Sequence, residues 1–490
     1  MKKALLVAAA LSSLITGACT VGPDFVRPHT PDSGYAHALP PPSEARTITL
    51  GADVADDWYG LFHSGPLDQL VRAALTGNPG LEGARHGLLA AQYELKAVAG
   101  SQLPQIDATG QIGRAHLNGS FLYAPTNAID ASGDRWQLGP ALAYNLDPFG
   151  GTRRQVESQR AVSAGERDQV LNTYVTLVDQ TVITAFDYAA TLRQIEVTQA
   201  LADELQSQFE LTRTLENAGK ITRSDTLQAQ TQLENLRATL PELEQQRDAY
   251  RNALAQLCGA TPDEFALPTL SLQDFTLPAQ LPLSLPSALV RQRPDILAAE
   301  DALHQASAAI GVAEAARLPS LTISAQYAQQ TSELSDFLTR PGGIWSVGLN
   351  ATAPLFHGGT LAAREREARE RYQQALASYR ATVIAALVEV ADSLQALQHD
   401  GDSYSAHRRA LDAAREDRDL ALAQYRAGKY TELQVLTAEQ QYQQAALTEV
   451  QADVQRFTDT AALFRALGGG WWNAAADPTA LAAAAGEQHE

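Results

Sequence analysis

The chain has 490 residues, of which 45% are hydrophobic and 19% are charged, so it is neither disordered nor a bundle of membrane helices throughout. Its 37 Lys and Arg residues against 56 Asp and Glu residues give a net charge of −19. This charge argues against a nucleic-acid partner, since such a protein needs a basic face for phosphates. Only two cysteines occur, which excludes a disulfide scaffold and a cysteine-rich metal site.

The first residues have the pattern of an export signal. Lys2 and Lys3 precede a short apolar run, and small residues precede Cys19. The pattern predicts a lipoprotein signal peptide at residues 1–18, cleaved before Cys19, whose thiol is then acylated. An ordinary signal peptide with an incidental cysteine is the alternative. In the rest of the chain we find no 18-residue apolar stretch for a transmembrane helix.

An internal repeat organises the remainder of the chain. Four landmarks recur in the same order at offsets of 215, 209, 208 and 209 residues: Leu103-Pro104 as Leu318-Pro319, Trp136 as Trp345, Gly150-Gly151-Thr152 as Gly358-Gly359-Thr360, and Ala218-Gly219-Lys220 as Ala427-Gly428-Lys429. A duplicated structural unit explains such an order better than chance does. We therefore predict an N-terminal extended segment (19–65), a first repeat (66–261), a proline-rich linker (262–286), a second repeat (287–470) and a C-terminal tail (471–490).

Alternating hydrophobicity predicts two strands in each repeat, at about 104–116 and 134–147 and at about 319–330 and 343–354. In the last of these, Trp345, Val347 and Leu349 alternate with polar or small residues. A soluble sandwich would also alternate, but segments of about ten residues with Trp and Tyr near their ends favour a transmembrane barrel. Four strands cannot close a barrel alone, so if they lie in a membrane several chains must combine their strands; three copies would give twelve. Pro140 removes a ladder hydrogen bond, which predicts that its strand is bent or shifted there.

Each repeat also contains long helices. One apolar stretch is expected to be helical at about 66–101 and its counterpart at 287–317, and a heptad seam predicts a helix from about 152 to 216, roughly 95 Å long. Gly219 and Gly428 are expected to end the long helices so that the chain reverses. Pro241 is expected to interrupt or kink the returning helix, and Asp400-Gly401-Asp402 to mark a solvated break. The helices alone would equally fit a soluble coiled coil.

No sequence motif points to catalysis. The ten His residues form no H-E-x-x-H pattern, and no phosphate loop, dinucleotide fingerprint or G-x-S-x-G elbow occurs. We therefore expect no enzyme, no cofactor and no metal.

Several segments resemble the TolC-like outer membrane factors, in their lipoprotein (NodT-type) branch. They extend from residue 19 to 472 in family order: Thr20-Val21-Gly22-Pro23-Asp24-Phe25-Val26-Arg27-Pro28, Leu285-Pro286-Ser287-Ala288-Leu289-Val290-Arg291-Gln292-Arg293-Pro294-Asp295-Ile296, Ile310-Gly311-Val312-Ala313, Pro354-Leu355-Phe356-His357-Gly358-Gly359 and Ala466-Leu467-Gly468-Gly469-Gly470-Trp471. Together they are specific, although each alone would be weak.

The resemblance implies a mainly α protein with a membrane β-barrel. Its four strands per chain would complete a trimeric, 12-stranded barrel in the outer membrane lipid, on a long antiparallel helical tunnel in the periplasm. The homotrimer would be the lipid-anchored outer membrane channel of a tripartite efflux system, a passive exit duct. It would dock to a periplasmic adaptor (a membrane fusion protein) and an inner-membrane pump of the RND type. The alternative is a coiled-coil periplasmic adaptor or structural protein without a barrel, which would be extracted without detergent.

The resemblance also implies which residues matter at the periplasmic end. The turns Ala218-Gly219-Lys220 and Ala427-Gly428-Lys429 would contact the adaptor. The aperture would lie at Leu433, Thr437 and Gln440, where the family's gating carboxylate position is Thr437 and its arginine position is Gln440. An apolar ring of Leu433 and hydrogen bonds would then replace ionic pairs. The alternative is that these side chains merely face neighbouring helices.

Overall fold

The computed structural model describes residues 20–29, 47–118, 130–339, 342–474 and 478–479. The helices are α1 (Gly65–Gly77), α2 (Pro79–Gly100), α3 (Gly151–Asn217), α4 (Arg223–Leu257), α5 (Pro286–Gln292), α6 (Pro294–Ala315), α7 (Thr360–Arg426) and α8 (Glu432–Ala466). The strands are β1 (Thr47–Leu50), β2 (Gln105–Asn118), β3 (Asp130–Asn145), β4 (Gln280–Leu283), β5 (Ser320–Thr331) and β6 (Gly343–Thr352).

The long helices repeat with a constant offset. Helices α3 and α7 each have 67 residues, and α4 and α8 each have 35. Gly151 and Thr360, which begin α3 and α7, are 209 residues apart, and so are Arg223 and Glu432, which begin α4 and α8. A helix of 67 residues is about 100 Å long at 1.5 Å per residue.

The two helical stretches predicted at about 66–101 and 287–317 each consist of two helices. Asn78 separates α1 from α2 and Arg293 separates α5 from α6, and both have extended backbones with ψ of 118° and 121°. Each precedes a proline, whose ring disfavours the helical conformation in the preceding residue. The Asn78 side chain then accepts from the Leu81 N–H at 3.0 Å, which caps α2.

The predicted interruptions at Pro241 and at Asp400-Gly401-Asp402 are wrong, whereas the alternative of a kink at Pro241 stays a prediction. Helix α4 continues through Pro241, and α7 continues through Asp400-Gly401-Asp402. Pro241 lies on the exposed side of its helix, and its missing N–H removes one hydrogen bond. Buried leucines keep both helices packed: Leu233, Leu236 and Leu254 in α4, and Leu394 and Leu397 in α7.

The large sheet has the order β2-β3-β5-β6, with all neighbours antiparallel. Pro140 affects only one side of its strand: it pairs with Ala108 on β2, whereas the β3–β5 pairs skip from Leu138 to Ala141. The expected disturbance at Pro140 is therefore an interruption of one ladder.

A second, smaller ladder was not expected. Strand β1 pairs in parallel with β4, from Thr47 opposite Gln280 to Leu50 opposite Leu283. The two strands lie in the predicted N-terminal extended segment and in the predicted linker. Strands of four residues are too short to show a reliable period, although Leu281 and Leu283 are buried.

Contacts divide the chain into two units. The first (1–28, 89–165 and 299–379) contains the large sheet. The second (29–88, 166–298 and 380–490) contains an aromatic core in which the Phe62 and Phe186 rings lie 4.9 Å apart and the Trp58 and Phe464 rings 5.0 Å apart.

By length and composition alone, one helix among the described residues is apolar enough to cross a membrane. It is α7, which contains an 18-residue window that the sequence analysis had overlooked. Val383, Val390 and Leu394 of this helix are buried within the chain. Their burial is what a heptad seam requires, and it accounts for one side of the helix, whereas Ile384 and Val388 remain exposed.

Candidate functional site

The large sheet exposes an apolar face. The register places Trp345 opposite Tyr327 and Leu349 opposite Ile323, and directly opposed residues in an antiparallel pair share a face. The same register carries this face across β3 to β2, where Ile112 lies opposite Trp136. Its large members remain exposed: Ile106, Ile112, Leu138, Tyr327, Trp345, Val347 and Leu349. Apolar surface of this extent, on a sheet, favours contact with lipid.

The opposite face carries mostly small and polar side chains, with the exposed Ile344 at the start of β6 as an exception. The amide of Asn350 donates to the Ser324 hydroxyl at 3.0 Å, and the Thr109 hydroxyl donates to the Gly139 carbonyl at 3.2 Å. A sheet with one apolar and one polar face fits a barrel wall between lipid and water. Strands β2 and β6 are its two edges, each paired on one side in the part of the chain that the structure describes.

The two predicted turns have the same geometry. Gly219 and Gly428 have φ of +68° and +71°, in the left-handed region that favours glycine. Lys220 N–H donates to Leu215 O and Lys429 N–H donates to Gln424 O, both at 2.9 Å, which closes each helix by a Schellman-type bond. All six turn residues are exposed: Ala218, Gly219, Lys220, Ala427, Gly428 and Lys429.

The returning helices begin in the same way as well. Thr222 and Asp225 form a capping box at the start of α4, and Thr431 and Gln434 form one at the start of α8. A glycine turn followed by a capping box fixes both the end of one helix and the start of the next.

The three residues predicted for the aperture lie together on α8. Leu433 is 63% exposed, and its carbonyl accepts from the Thr437 hydroxyl at 2.8 Å. Leu433, Thr437 and Gln440 line one groove of about 680 Å³ between α4 and α8. None of the three therefore contributes to the packed interior, and the groove that they line is open to occupation from outside the chain.

Two buried carboxylates on α8 were missed by the sequence analysis. Glu432 and Glu439 are seven residues apart and only 4% and 2% exposed. Glu432 accepts from Gln208 of α3 at 3.1 Å. Glu439 lies 4.0 Å from the Arg418 guanidinium of α7, which also binds Glu204 of α3 at 2.8 Å. A spacing of seven with charged residues in a helical seam was the sequence signal that could have identified them.

Burial changes the acidity of this cluster. It raises the pKa of Glu439 to about 7, although Arg418 acts in the opposite direction. Burial, with Glu432 nearby, also raises the pKa of Tyr425 on α7. Arg418 lies over the Tyr442 ring at 4.1 Å, so its charge faces both a carboxylate and an aromatic ring. Helices α3, α7 and α8 are thus joined next to the aperture residues by polar contacts rather than by apolar packing alone.

Of the two cysteines, Cys258 lies among the described residues. Cys19 lies outside the described residues, so its acylation stays a prediction. Cys258 is buried, and burial raises the pKa of its thiol to about 11. Such a thiol is unreactive at neutral pH, which fits a packing role.

Comparisons with known proteins agree over nearly the whole chain. A family model described as outer membrane efflux protein matches residues 70–260 and 285–469. The probable efflux pump outer membrane protein TtgC of Pseudomonas putida is 28% identical over 481 residues, covering 96% of each chain. Nodulation protein T of Rhizobium leguminosarum is 28% identical over 472 residues, covering 95% of this chain and 93% of its own. Among solved structures, the outer-membrane channel OprN matches with a TM-score of 0.83 and 29% identity, over 92% of this chain and all of its own.

Proposed function

Since this chain belongs to the outer membrane efflux protein family, we propose that three copies close their sheets into one barrel. It is an outer-membrane efflux channel, and its relatives across almost its full length are described in those terms. The alternative hypothesis, a periplasmic adaptor without a barrel, is not favoured, because it does not account for a channel fold matched over 92% of the chain. Like its family, the chain acts as a channel, and we propose no catalytic step, cofactor or metal.

The two free edges of the large sheet support the trimer. Strand β6 of one copy would pair with β2 of the next, so three sheets of four strands would form a barrel of twelve. Closure removes every exposed edge, which an outer-membrane sheet cannot leave open to lipid. The apolar face would then meet lipid and the polar face the lumen.

We further propose that the other end of the channel is set by the paired turns and by α8. The exposed turns at Ala218–Lys220 and Ala427–Lys429 would contact a periplasmic adaptor, a membrane fusion protein that connects to an inner-membrane pump of the RND type. In a trimer, three Leu433 side chains would approach the axis and, with Thr437 and Gln440, form the periplasmic aperture. Their exposure and shared groove support this assignment. Cys19 would carry the lipid anchor in the outer membrane.

The apolar face that runs in register across all four strands carries this proposal, and Leu349→Arg tests it. Arginine on a lipid-facing position near the bilayer midplane costs roughly 2–4 kcal/mol, whereas a lumen position tolerates charge. We expect Leu349→Arg to reduce the yield of membrane-inserted trimer on unheated gels far more than the matched variant Asn350→Arg. Equal yields from the two variants would show that the faces are assigned the wrong way or that the sheet does not meet lipid.

A further inference from the structure

The first described residues are seated on the sheet-bearing unit. Val21 N–H donates to the Phe149 carbonyl at 3.0 Å, just before α3 begins. Thr20 packs so closely on Gly150 that a Cβ at Gly150 would lie 2.6 Å from the Thr20 methyl carbon. Residues 20–28, called the strap below, therefore start at the corner where β3 leads into α3.

A buried arginine holds the strap by its backbone. Arg154 of α3 is 3% exposed and donates to the carbonyls of Val21 and Gly22 at 3.1 and 3.2 Å. It also binds Asp24 of the strap and Glu157 of α3, each at 2.7 Å. Burial disfavours its charge, but the bonds to Asp24 and Glu157 outweigh burial and raise the pKa of Arg154.

Two glycines allow the strap to approach α6. Gly22 has φ of +90°, and a Cβ there would lie 2.4 Å from the Gly311 Cα. A Cβ at Gly311 would lie 2.8 Å from the Val21 carbonyl oxygen. The strap and α6 are thus in contact through backbone atoms, with no room for a side chain on either side.

The second half of the strap binds α6 through side chains. The Phe25 ring stacks on His304 with centroids 4.4 Å apart, and His304 is 3.0 Å from Glu157 of α3. Arg27 donates to Glu300 at 2.6 Å, and Glu300 is 7% exposed. Because α3 belongs to the first repeat and α6 to the second, the strap binds both repeats at once.

The second repeat does not offer this seat. The position of Arg154 is taken by an alanine in α7 at either repeat offset, by Ala362 at 208 residues and by Ala363 at 209. An alanine cannot bind two carbonyls. Among the described residues, this binding site for the strap is therefore found once, at the corner of β3 and α3.

We propose that the strap fixes where the lipid anchor on Cys19 enters the membrane, by seating residues 20–28 between α3 and α6 at the membrane-side corner of the sheet. The proposal rests on the acylation of Cys19 put forward above. Consecutive Cα atoms are about 3.8 Å apart, so binding of Thr20 at the corner would keep a lipid attached to the preceding residue within one residue's length of it. If only Pro28 were held, the nine residues before it could carry Cys19 as far as about 30 Å away.

Chymotrypsin cleavage after Phe25, in purified outer membranes, tests whether the strap is bound to α3 and α6. The released peptide is followed both by mass and by a metabolically incorporated fatty acid that carries a photoactivatable group. Arg154→Ala removes the backbone contacts, and Gly22→Val blocks the seat from the strap side while leaving the helices unchanged. Arg160→Ala, on an exposed position of the same helix, is the matched control.

We expect cleavage to be about tenfold faster or more in Arg154→Ala and Gly22→Val than in the wild type and Arg160→Ala, because proteolysis follows the released population. Photo-cross-links from the fatty acid should concentrate near Pro148–Gly151 in the wild type and spread in the two strap variants. Equal cleavage rates in all four proteins, or identical cross-link maps, would overturn the proposal. Absence of label from the wild-type peptide would instead refute acylation of Cys19, while the mass of the peptide would still report on the seat.

Discussion

Glu439 shows how a single buried residue makes the stability of the folded chain depend on pH. Its pKa of about 7 lies above the ordinary value of 4.5, so the folded chain holds its proton more tightly than the unfolded chain does. Between pH 4.5 and 7 the folded state therefore binds more protons than the unfolded state. The contribution of this group to stability is largest below about pH 4.5 and is lost as the pH rises through 7.

We predict that Glu439→Gln raises the thermal stability of the protein at pH 8 and has little effect at pH 4.5. The amide cannot ionise, so the cost of a buried charge, on the order of 1–3 kcal/mol, disappears at high pH. Differential scanning calorimetry at several pH values measures the change in thermal stability, and Glu416→Gln, at an exposed position, is the control. Burial also raises the pKa of Asp179 to about 7, so the variant should keep the part of the pH dependence that comes from Asp179. A variant less stable than the wild type at pH 8 would contradict the account of Glu439.

Leu433 is the residue at which the proposed aperture is most directly tested. Leu433→Ser replaces three apolar side chains near the axis of a trimer by smaller, hydrated ones, so single-channel conductance in planar bilayers should rise. Leu420→Ser, which changes another exposed leucine, on α7, should leave the conductance unchanged. A wild-type conductance in Leu433→Ser would place the constriction elsewhere and leave the family assignment intact.

At the scale of elements, the sequence predicted the strands and long helices from the spacing of apolar residues, and the turns from their glycines. The alternating segments lie in β2, β3, β5 and β6, and the heptad seam lies in α3, because apolar spacing follows strand and helix geometry. The glycine turns were predicted because few other residues adopt positive φ.

The remaining features depend on contacts between distant segments. The β1–β4 ladder joins residues more than 200 positions apart, and no local pattern encodes that pairing. Pro241 and Gly401 suggested breaks, but packing along the helices outweighed a local preference. The buried Glu432 and Glu439 were overlooked for the same reason, since only the neighbouring helices make them internal.

The turn between α7 and α8 gives a prediction at this scale. Nothing lies within 4 Å of a Cβ added at Gly428, so Gly428→Val would act through the backbone alone. A valine at φ of +71° costs about 1–2 kcal/mol, and we expect the turn to shift and adaptor binding to weaken. Surface plasmon resonance with a purified adaptor measures the loss, and Gly428→Asn should bind nearly as the wild type, because asparagine tolerates this region. Equal binding by the valine variant would remove the turn from the proposed interface.

At the scale of the whole molecule, duplication explains the architecture. Two repeats offset by 209 residues supply paired helices and paired turns, and each contributes two strands to one sheet. The described sheet has two edges with unpaired backbone groups, which lipid cannot hydrogen-bond, and an apolar face, which is unfavourable in water. One chain alone therefore leaves part of its sheet unfavourable in either environment. In the proposed trimer, association of three chains would remove both edges at once.

Native mass spectrometry of the complex extracted in detergent from purified outer membranes tests this account most directly. We predict a particle of three chains that dissociates only on heating, with no stable particle of one or two chains. A protein recovered from the membrane as a single chain, or released from it without detergent, would contradict the barrel and with it the proposed channel.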